Sequence, residues 1–273
     1  MRLRWLIAAL VWLGCFGAQA EPARRVVSLG GSVTEIVYGL GQGARLVADD
    51  ASSLYPEAAT RLPRIGYYRA VPVEGVISMR PDLVLASENA GPPQAMKSLS
   101  ELGVAVRVVS DAPSLESLYR RIMQIAQELG VPEEGARLLE RVRQDVAGAL
   151  GVPATPRRAL LLLNRGGQWT GAGRGTVAGA IMALAGLENG LAAQKGYRPV
   201  SAEGLALLAP EMIVVTAASV RAGGGLEKFR ASPGVSSTPA ARNDRIVVMD
   251  DLLILGMGPR VGQAIRQLKE SAK

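Results

Sequence analysis

Residues 24–35, which read RRVVSLGGSVTE, decide the fold. The segment Val26–Leu29 is mostly apolar and ends at two glycines, which is typical of a buried strand followed by a tight turn. Ser32 and Glu35 have the spacing of a capping box, so a helix is predicted to begin here. The segment therefore predicts a strand-loop-helix unit, the repeating unit of parallel α/β sheets.

The same unit recurs along the rest of the chain. In the first half we predict strands at 45–48, 82–86 and 104–109 and helices at 72–79, 95–102 and 114–129. A second series begins with a strand at 159–163 and ends with a strand at 245–249 and a helix at 258–270. This alternation predicts parallel sheets that are covered by helices on both faces.

A charged segment separates the two series. Pro132 opens a predicted helix that runs to about Leu150, with the i,i+4 pair Glu133–Arg137 on its polar side. The segment is either a surface helix of one domain or a helix that joins two lobes. We prefer the second interpretation because a new α/β series follows directly. The predicted division is a signal peptide at 1–20, an N-terminal lobe at 21–131, a bridging helix at 132–151 and a C-terminal lobe at 152–273.

The first twenty residues have the pattern of a secretory signal peptide. Arg2 and Arg4 precede an apolar run, and Ala18-Gln19-Ala20 supplies the small residues of a cleavage site. The run is shorter than the roughly 20 residues that a membrane-spanning helix needs. An uncleaved anchor and a lipidated Cys15 are the alternatives. The cleavage pattern favours export without either, and no other segment is predicted to span a membrane.

The composition restricts the chemistry of the exported chain. The sequence has no histidine, which excludes histidine metal ligands, Ser-His-Asp triads and histidine general bases. Cys15 is the one cysteine, so neither a disulfide nor thiol chemistry is expected after cleavage. Loss of Arg2 and Arg4 lowers the net charge from +7 to +5, which suits an anionic ligand. No long run of Lys and Arg indicates a nucleic-acid partner.

An internal repeat supports two lobes. Glu74 lies seven residues before Pro81-Asp82 and a buried strand, and Glu203 lies seven residues before Pro210-Glu211 and another buried strand. Each glutamate is predicted near the start of a short helix, where a negative side chain is favoured. Unless the match is a coincidence, each lobe presents one carboxylate at an equivalent corner.

Residues 63–69, which read PRIGYYR, are the most informative for function. They lie between two α/β units, where this class of fold places ligand-binding residues. Tyrosine becomes a good ligand for Fe(III) when a cation or the metal stabilises the phenolate. Arg69 projects to the same side as Tyr67 if the segment is extended, so it is a candidate to stabilise the phenolate or to pair with a ligand carboxylate. The residues alone do not separate Tyr67 from Tyr68 or exclude a packing role.

Two glycine-rich turns precede predicted helices in the second half. The turn Gly171–Thr176 contains Arg174, which either stays solvated or meets an anionic group of a ligand. The turn Gly256–Arg260 contains Met257, which packs either in the core or against a flat apolar ligand.

Together these segments closely resemble the periplasmic haem-binding proteins of bacterial haem ABC importers. The matching stretches are 27–35, 66–70, 74–76, 80–88, 171–176, 201–203 and 255–260. Residues 27–35 and 74–76 also resemble the wider group that binds cobalamin and ferric siderophores, so they indicate the fold rather than the cargo. The Gly-Tyr-x-Arg segment at 66–69 and the Gly-Pro-Arg turn at 258–260 are more specific to haem carriers.

The resemblance implies an α/β fold of two Rossmann-like lobes bridged by a single long helix, the class III periplasmic binding protein architecture. It places the ligand of the haem iron at Tyr67, with Arg69 in support. It also places the two carboxylates that dock on the permease at Glu74 and Glu203.

The implied cargo is ferric haem b, which is carried as a ligand and not used as the cofactor of an enzyme. Arg174, Met257 and Arg260 are predicted to line the cleft or to meet the haem propionates, together with Arg69, and Arg198 is a further candidate. Some relatives hold a second haem through a histidine, which this sequence lacks, so one haem per protein is predicted.

The implied partner is an ABC permease dimer with a cytoplasmic ATPase, which a periplasmic monomer would supply with haem. The main alternative is the same fold carrying a ferric siderophore or a corrinoid, although such cargo favours a more aromatic or more basic cleft. A secreted enzyme on this fold is a second alternative. The lack of histidine, of a thiol and of a Gly-x-Ser-x-Gly segment argues against it.

Overall fold

The computed structural model describes residues 23–273, so the predicted signal peptide and Cys15 lie outside the described residues. The strands are β1 (Val26–Leu29), β2 (Leu46–Asp49), β3 (Leu83–Ser87), β4 (Ala105–Val109), β5 (Arg158–Arg165), β6 (Gln168–Ala172), β7 (Glu188–Asn189), β8 (Tyr197–Pro199), β9 (Met212–Thr216) and β10 (Ile246–Met249).

The helices alternate with these strands. They are α1 (Gly31–Gly39), α2 (Val73–Ser78), α3 (Pro93–Glu101), α4 (Leu115–Glu128), α5 (Pro132–Gly151), α6 (Val177–Leu184), α7 (Ala202–Leu208), α8 (Ala217–Ala222), α9 (Leu226–Ala231), α10 (Pro239–Arg242), α11 (Asp251–Leu255) and α12 (Val261–Ser271). Two 3-10 turns, Gly43–Arg45 and Glu57–Arg61, flank β2.

The first sheet has the strand order β2-β1-β3-β4, and all of its strands are parallel. Its central strands β1 and β3 are buried along their whole length, as expected for a sheet that is covered on both faces. The carboxyl ends of the strands share one edge, where Gly30 and the loops after β2 and β3 come together. We call the part of the chain before α5 the first lobe and the part after it the second lobe.

The second sheet has the order β10-β9-β5-β6-β8, and β7 pairs with β5. Strands β10, β9, β5 and β7 are parallel, whereas β6 and β8 are antiparallel to their neighbours. No strand is predicted from the sequence between β5 and the turn Gly171–Thr176. Instead, Gly166 and Gly167 form a tight turn with positive φ, and the chain returns as β6. The prediction of parallel strands alone is therefore wrong for this edge of the sheet.

Helix α5 bridges the two lobes. Its buried residues Leu138, Val142 and Val146 belong to one apolar cluster that contains residues of both sheets, of α4 and of α12. Gly262 of α12 packs so closely on α5 that a Cβ at this position would overlap the Asp145 side chain. Lys269 is buried, and its Nζ donates to the carbonyl oxygens of Leu150 and Val152 at the end of α5. Within residues 23–273 we find no helix both long and apolar enough to cross a membrane.

The predicted capping box at the start of α1 is wrong. The helix begins at Gly31 with Gly30 as its cap, and no side chain caps it. Glu35 lies in the buried part of the helix and turns toward the second lobe, where Arg260 donates to its carboxylate from Nε at 3.0 Å and from Nη2 at 3.2 Å. The spacing of Ser32 and Glu35 thus reflects a contact between lobes instead of a local cap.

A second polar contact between the lobes involves Arg121 of α4, whose side chain is fully buried. Its guanidinium forms an ion pair with Asp111 at 2.5 Å and donates to the carbonyl oxygen of Met257 at 2.6 Å. Burial lowers the pKa of Arg121, and the neighbouring Asp111 carboxylate opposes that shift. Arg260 of the second lobe and Arg121 of the first lobe therefore both join the first lobe to the turn between α11 and α12.

We expect the Glu35–Arg260 pair to contribute strongly to stability, because Glu35 is 4% exposed and its loss leaves a half-buried guanidinium without its bidentate partner. Glu35→Gln should lower the free energy of unfolding by about 2–4 kcal/mol in chemical denaturation. The control is Glu57→Gln, which removes an exposed i,i+4 pair with Arg61 and should change stability by less than about 1 kcal/mol. Equal effects of the two variants would contradict this role.

Asp49 is a buried carboxylate at the end of β2. Its side chain is 0% exposed, neither carboxylate oxygen has a hydrogen-bond partner, and the nearest cation is Arg64, with Nε 3.7 Å from Oδ1. Burial raises the pKa of Asp49 from 3.8 to about 7; Arg64 opposes this rise and Asp50 adds to it. The folded protein therefore holds a proton here that the unfolded chain releases at lower pH.

A raised carboxyl pKa makes stability fall as pH rises. The contribution of the protonated Asp49 is complete below its unfolded pKa and is lost as pH increases through about 7. Asp49→Asn should reduce this decline and stabilise the protein at about pH 8 by on the order of 1–4 kcal/mol. Denaturant unfolding from about pH 5 to pH 8 measures the effect, with exposed Glu101→Gln as the control. A variant with the same pH slope as the parent would disprove this assignment.

Candidate functional site

A cavity of about 240 Å³ lies between the two lobes, at the carboxyl ends of the first sheet's strands. The first lobe contributes Gly30, Ser52, Leu54, Tyr67, Tyr68 and Asp111. The second lobe contributes the start of α11 and the residues after it, namely Asp251, Leu252, Leu255 and Gly256. The walls are therefore largely aliphatic and aromatic, and two carboxylates lie among them.

The carboxylate of Asp50 organises the side of the cavity formed by the first lobe. It is fully buried and accepts hydrogen bonds from the backbone N–H groups of Gly30, Ser52 and Tyr68 at 2.8, 3.0 and 3.2 Å. These three groups belong to three separate loops. A single side chain thus fixes the end of β1, the loop after β2 and the tyrosine segment relative to one another.

The tyrosine segment forms a tight turn that exposes Tyr67. Gly66 has a φ of +94°, which a residue with a side chain adopts only with strain. The N–H of Ala70 donates to the Tyr67 carbonyl at 2.8 Å, and the N–H of Gly91 donates to the Tyr68 carbonyl at 2.9 Å. Tyr67 is 47% exposed and lines the cavity, so its ring is accessible to a ligand.

Tyr68 differs from its neighbour in burial. The two rings meet edge to face, with their centroids 5.0 Å apart. Burial raises the pKa of Tyr68, and Arg69 opposes this rise only in part. Tyr68 therefore keeps its proton, and Tyr67 is the more accessible of the two phenols.

Arg69 interacts with both phenols. Its guanidinium carbon lies 4.9 Å from the centre of the Tyr68 ring. Burial alone would lower the pKa of Arg69, but Tyr68 and Tyr67 outweigh that effect and raise it. The segment is a turn and not the extended stretch on which the expected projection of Arg69 depended, yet Arg69 still interacts with Tyr67.

The second lobe places Tyr197 and Arg165 near the same group of residues, and sequence reasoning missed both. The Arg165 guanidinium carbon lies 5.0 Å from the centre of the Tyr197 ring. Tyr197 also interacts electrostatically with Arg69 and Tyr67 of the first lobe. The sequence does contain a signal for Tyr197. Gly66-Tyr67 ends seven residues before Glu74, and Gly196-Tyr197 ends six residues before Glu203.

Arg174 is exposed and is not among the residues that line the cavity. Its backbone pairs with the segment around Lys195, and its N–H donates to the Gln194 carbonyl at 2.7 Å. The side chains of Arg165, Arg174, Lys195 and Arg198 are all exposed, so this edge of the second lobe is basic. Thr176 caps α6 by accepting from the N–H of Gly179.

Two of the predicted cleft residues lie elsewhere. Met257 is fully buried in the core, with a positive φ of 40°, and its carbonyl accepts from Arg121. Arg260 is committed to Glu35, lies 3.6 Å from the centre of the Tyr55 ring and is not among the cavity residues. Met257 and Arg260 therefore both join the lobes, and their contact with a ligand stays a prediction.

Glu74 and Glu203 lie in the first turns of the short helices α2 and α7, and both are exposed. The pKa of Glu203 is lowered by hydrogen bonds from its own backbone N–H and from Ser201, so this carboxylate is charged. Leu207, one turn further along α7, is 88% exposed. Neither glutamate takes part in the cavity between the lobes.

Comparison with solved structures identifies proteins of the same architecture. The periplasmic haem-binding protein RhuT from Roseiflexus sp. RS-1, in its apo form, is 35% identical with a TM-score of 0.87, and the match covers 92% of this chain and 100% of that one. The periplasmic haem-binding protein HutB of Vibrio cholerae is 31% identical with a TM-score of 0.79, covering 90% and 97%. The predicted two-lobed class III fold is confirmed by this likeness.

Comparison with curated sequences finds relatives that are named for a different ligand, vitamin B12. The vitamin B12-binding protein of Yersinia pestis is 30% identical over 212 residues, which cover 77% of this chain and 75% of that protein. These relatives are binding proteins of transport systems, not enzymes. The model of the periplasmic binding protein family matches residues 26–253. The chain therefore belongs to the periplasmic binding protein family.

Proposed function

We propose that this chain is a periplasmic substrate-binding protein that binds ferric haem between its lobes and delivers it to an ABC importer. The observation that carries the proposal is the accessible Tyr67 in the cavity with the Arg69 guanidinium beside it. A phenolate is a good ligand for Fe(III), and a neighbouring guanidinium stabilises its charge. The haem-binding relatives of the same fold support this cargo.

The walls of the cavity suit the body of a porphyrin. Leu54, Leu252 and Leu255 offer apolar surface for a flat plate, as is typical of ligand pockets with few placed polar groups. Leu54 is also 41% exposed in the absence of a ligand, which leaves apolar area for the plate to cover.

The charges around the cavity orient the propionates. Asp111 and Asp251 lie inside, where a propionate would be repelled. Arg174 and Arg198 are exposed on the second lobe near Tyr197, and Arg69 lies beside the phenols. We therefore place the propionates toward this edge of the second lobe, with Arg174 and Arg198 as partners.

A corrinoid is the second candidate, because a vitamin B12-binding protein is among the relatives. The two cargoes make different demands on Tyr67. A ferric porphyrin needs the phenolate as an iron ligand, whereas a corrinoid that enters with its cobalt already ligated does not. Binding tests with both cargoes therefore decide between them.

Delivery is assigned to Glu74 and Glu203, which would dock on basic residues of an ABC permease dimer coupled to a cytoplasmic ATPase. One exposed carboxylate from each lobe gives two contacts of the same chemistry. Leu207 adds apolar surface beside Glu203. We further propose export by the signal at residues 1–20 and a monomeric state.

Replacement of the iron ligand should abolish the characteristic spectrum. Tyr67→Phe should weaken haemin binding by at least about tenfold and remove the phenolate-to-iron charge-transfer band, because the ring remains but the oxygen is lost. Tyr68→Phe is the matched control and should bind haemin as the parent does. Loss of the band in the Tyr68 variant alone would reverse the assignment, and tight binding of cyanocobalamin without haemin binding would favour the corrinoid.

Removal of the two carboxylates should separate delivery from binding. Glu74→Gln with Glu203→Gln should leave haemin affinity unchanged and lower haem-stimulated ATPase activity of the reconstituted permease by at least about tenfold. Glu227 also lies exposed in the first turn of a short helix, so Glu227→Gln is the control and should keep full stimulation. Full stimulation by the double variant would disprove the docking role.

A further inference from the structure

Tyr197 is the counterpart of Tyr67 in the second lobe. Each tyrosine follows a glycine with positive φ, +94° at Gly66 and +74° at Gly196. Tyr67 lies seven residues before Glu74 and Tyr197 lies six residues before Glu203, and each glutamate is exposed in the first turn of a short helix. The internal repeat therefore extends beyond the glutamates to a Gly-Tyr pair in each lobe.

The surroundings of Tyr197 hold its ring in place. Its strand β8 pairs with β6, so that Tyr197 is opposite Ala172, and its ring packs on the central apolar cluster. The guanidinium carbon of the exposed Arg165 lies 5.0 Å from the centre of the ring, in a cation–π contact. Tyr197 also interacts electrostatically with Arg69 and Tyr67 of the first lobe, so it lies near the tyrosine segment, although it is not among the residues that line the cavity.

We propose that Tyr197 is a ligand-contact residue of the second lobe, whose ring covers the face of the porphyrin opposite Tyr67. This inference rests on the proposed binding of haem. Arg165 holds the ring in position, and the ring blocks the sixth coordination position of the iron without ligating it. The plate is thus held between one phenol that binds the metal and one that does not.

The two phenols differ in the way that these roles require. Tyr67 is 47% exposed, whereas Tyr197 is only partly exposed, contacts the core and has Arg165 stacked on its ring. Burial raises the pKa of Tyr197, while Arg165 and Arg69 oppose this rise. Tyr197 is therefore the less accessible phenol, and a ring that is held by the core and by Arg165 suits a wall of the cleft better than a metal ligand.

The test compares variants loaded with haemin. Tyr197→Ala should release haem to an excess of apomyoglobin at least about tenfold faster than the parent, and should bind cyanide at the iron faster, because the covering ring is gone. Tyr197→Phe keeps the ring and should match the parent within about twofold in both rates. Arg165→Ala removes an exposed side chain, so it should fold normally and accelerate release by a smaller factor.

The matched control is Tyr119→Ala, because Arg143 lies 5.1 Å from the Tyr119 ring in the same type of stack away from the cleft. It should release haem and bind cyanide at the parent rates. Parent rates of haem release and cyanide binding in both Tyr197→Ala and Arg165→Ala would overturn the inference. Loss of a charge-transfer band, or of a second equivalent of bound haemin, in Tyr197→Phe would also overturn it, because it would show that the Tyr197 oxygen ligates iron. Failure of the parent to bind haemin would instead refute the proposed function, and the Tyr67→Phe spectrum separates the two results.

Discussion

The buried carboxylate of Asp50 is the interaction on which the proposed site depends. It joins the end of β1, the loop after β2 and the tyrosine turn through three backbone N–H groups. Charge-assisted hydrogen bonds of this kind are strong, and each donor would otherwise be left without a partner in a buried place. The position of Tyr67 relative to the cavity follows from this junction, since Tyr67 directly precedes the Tyr68 N–H that Asp50 holds.

Polar contacts between the lobes set the shape of the cavity from the other side. Glu35 reaches Arg260, and Arg121 reaches the Met257 carbonyl, so both contacts end in the turn that follows α11. That helix supplies Asp251, Leu252 and Leu255 to the cavity. Burial of these charges is costly unless they are paired, so their geometry resists large changes in the angle between the lobes. The fold thus favours a cleft with a nearly fixed width, which suits a rigid flat ligand.

The sequence patterns predict local structure well and contacts between distant residues poorly. The apolar run at β1 and the proline at the start of α5 were sufficient to place those elements, because strand burial and helix initiation depend on neighbouring residues. Glu35 and Arg260 are 225 residues apart, and their spacing patterns suggested a cap and a ligand contact instead. Tyr67 was accessible to motif reasoning, whereas Asp50 carries no local signal, because its role depends on three loops that only the folded sheet brings together.

The distribution of charge around the cavity fits the proposed cargo, which is an amphiphilic anion. Carboxylates inside the cavity are already satisfied, Asp111 by Arg121 and Asp251 by the N–H of Ala218, so they offer no site for a further anion. The basic side chains lie at the exposed edge of β6 and β8, where solvent screens them until a ligand arrives. A haem, with its apolar ring and two propionates at one edge, would meet the apolar cavity walls and the basic side chains in a single orientation. A corrinoid with one phosphate in place of two carboxylates would gain less from that asymmetry, so the charge pattern supports the proposed haem cargo.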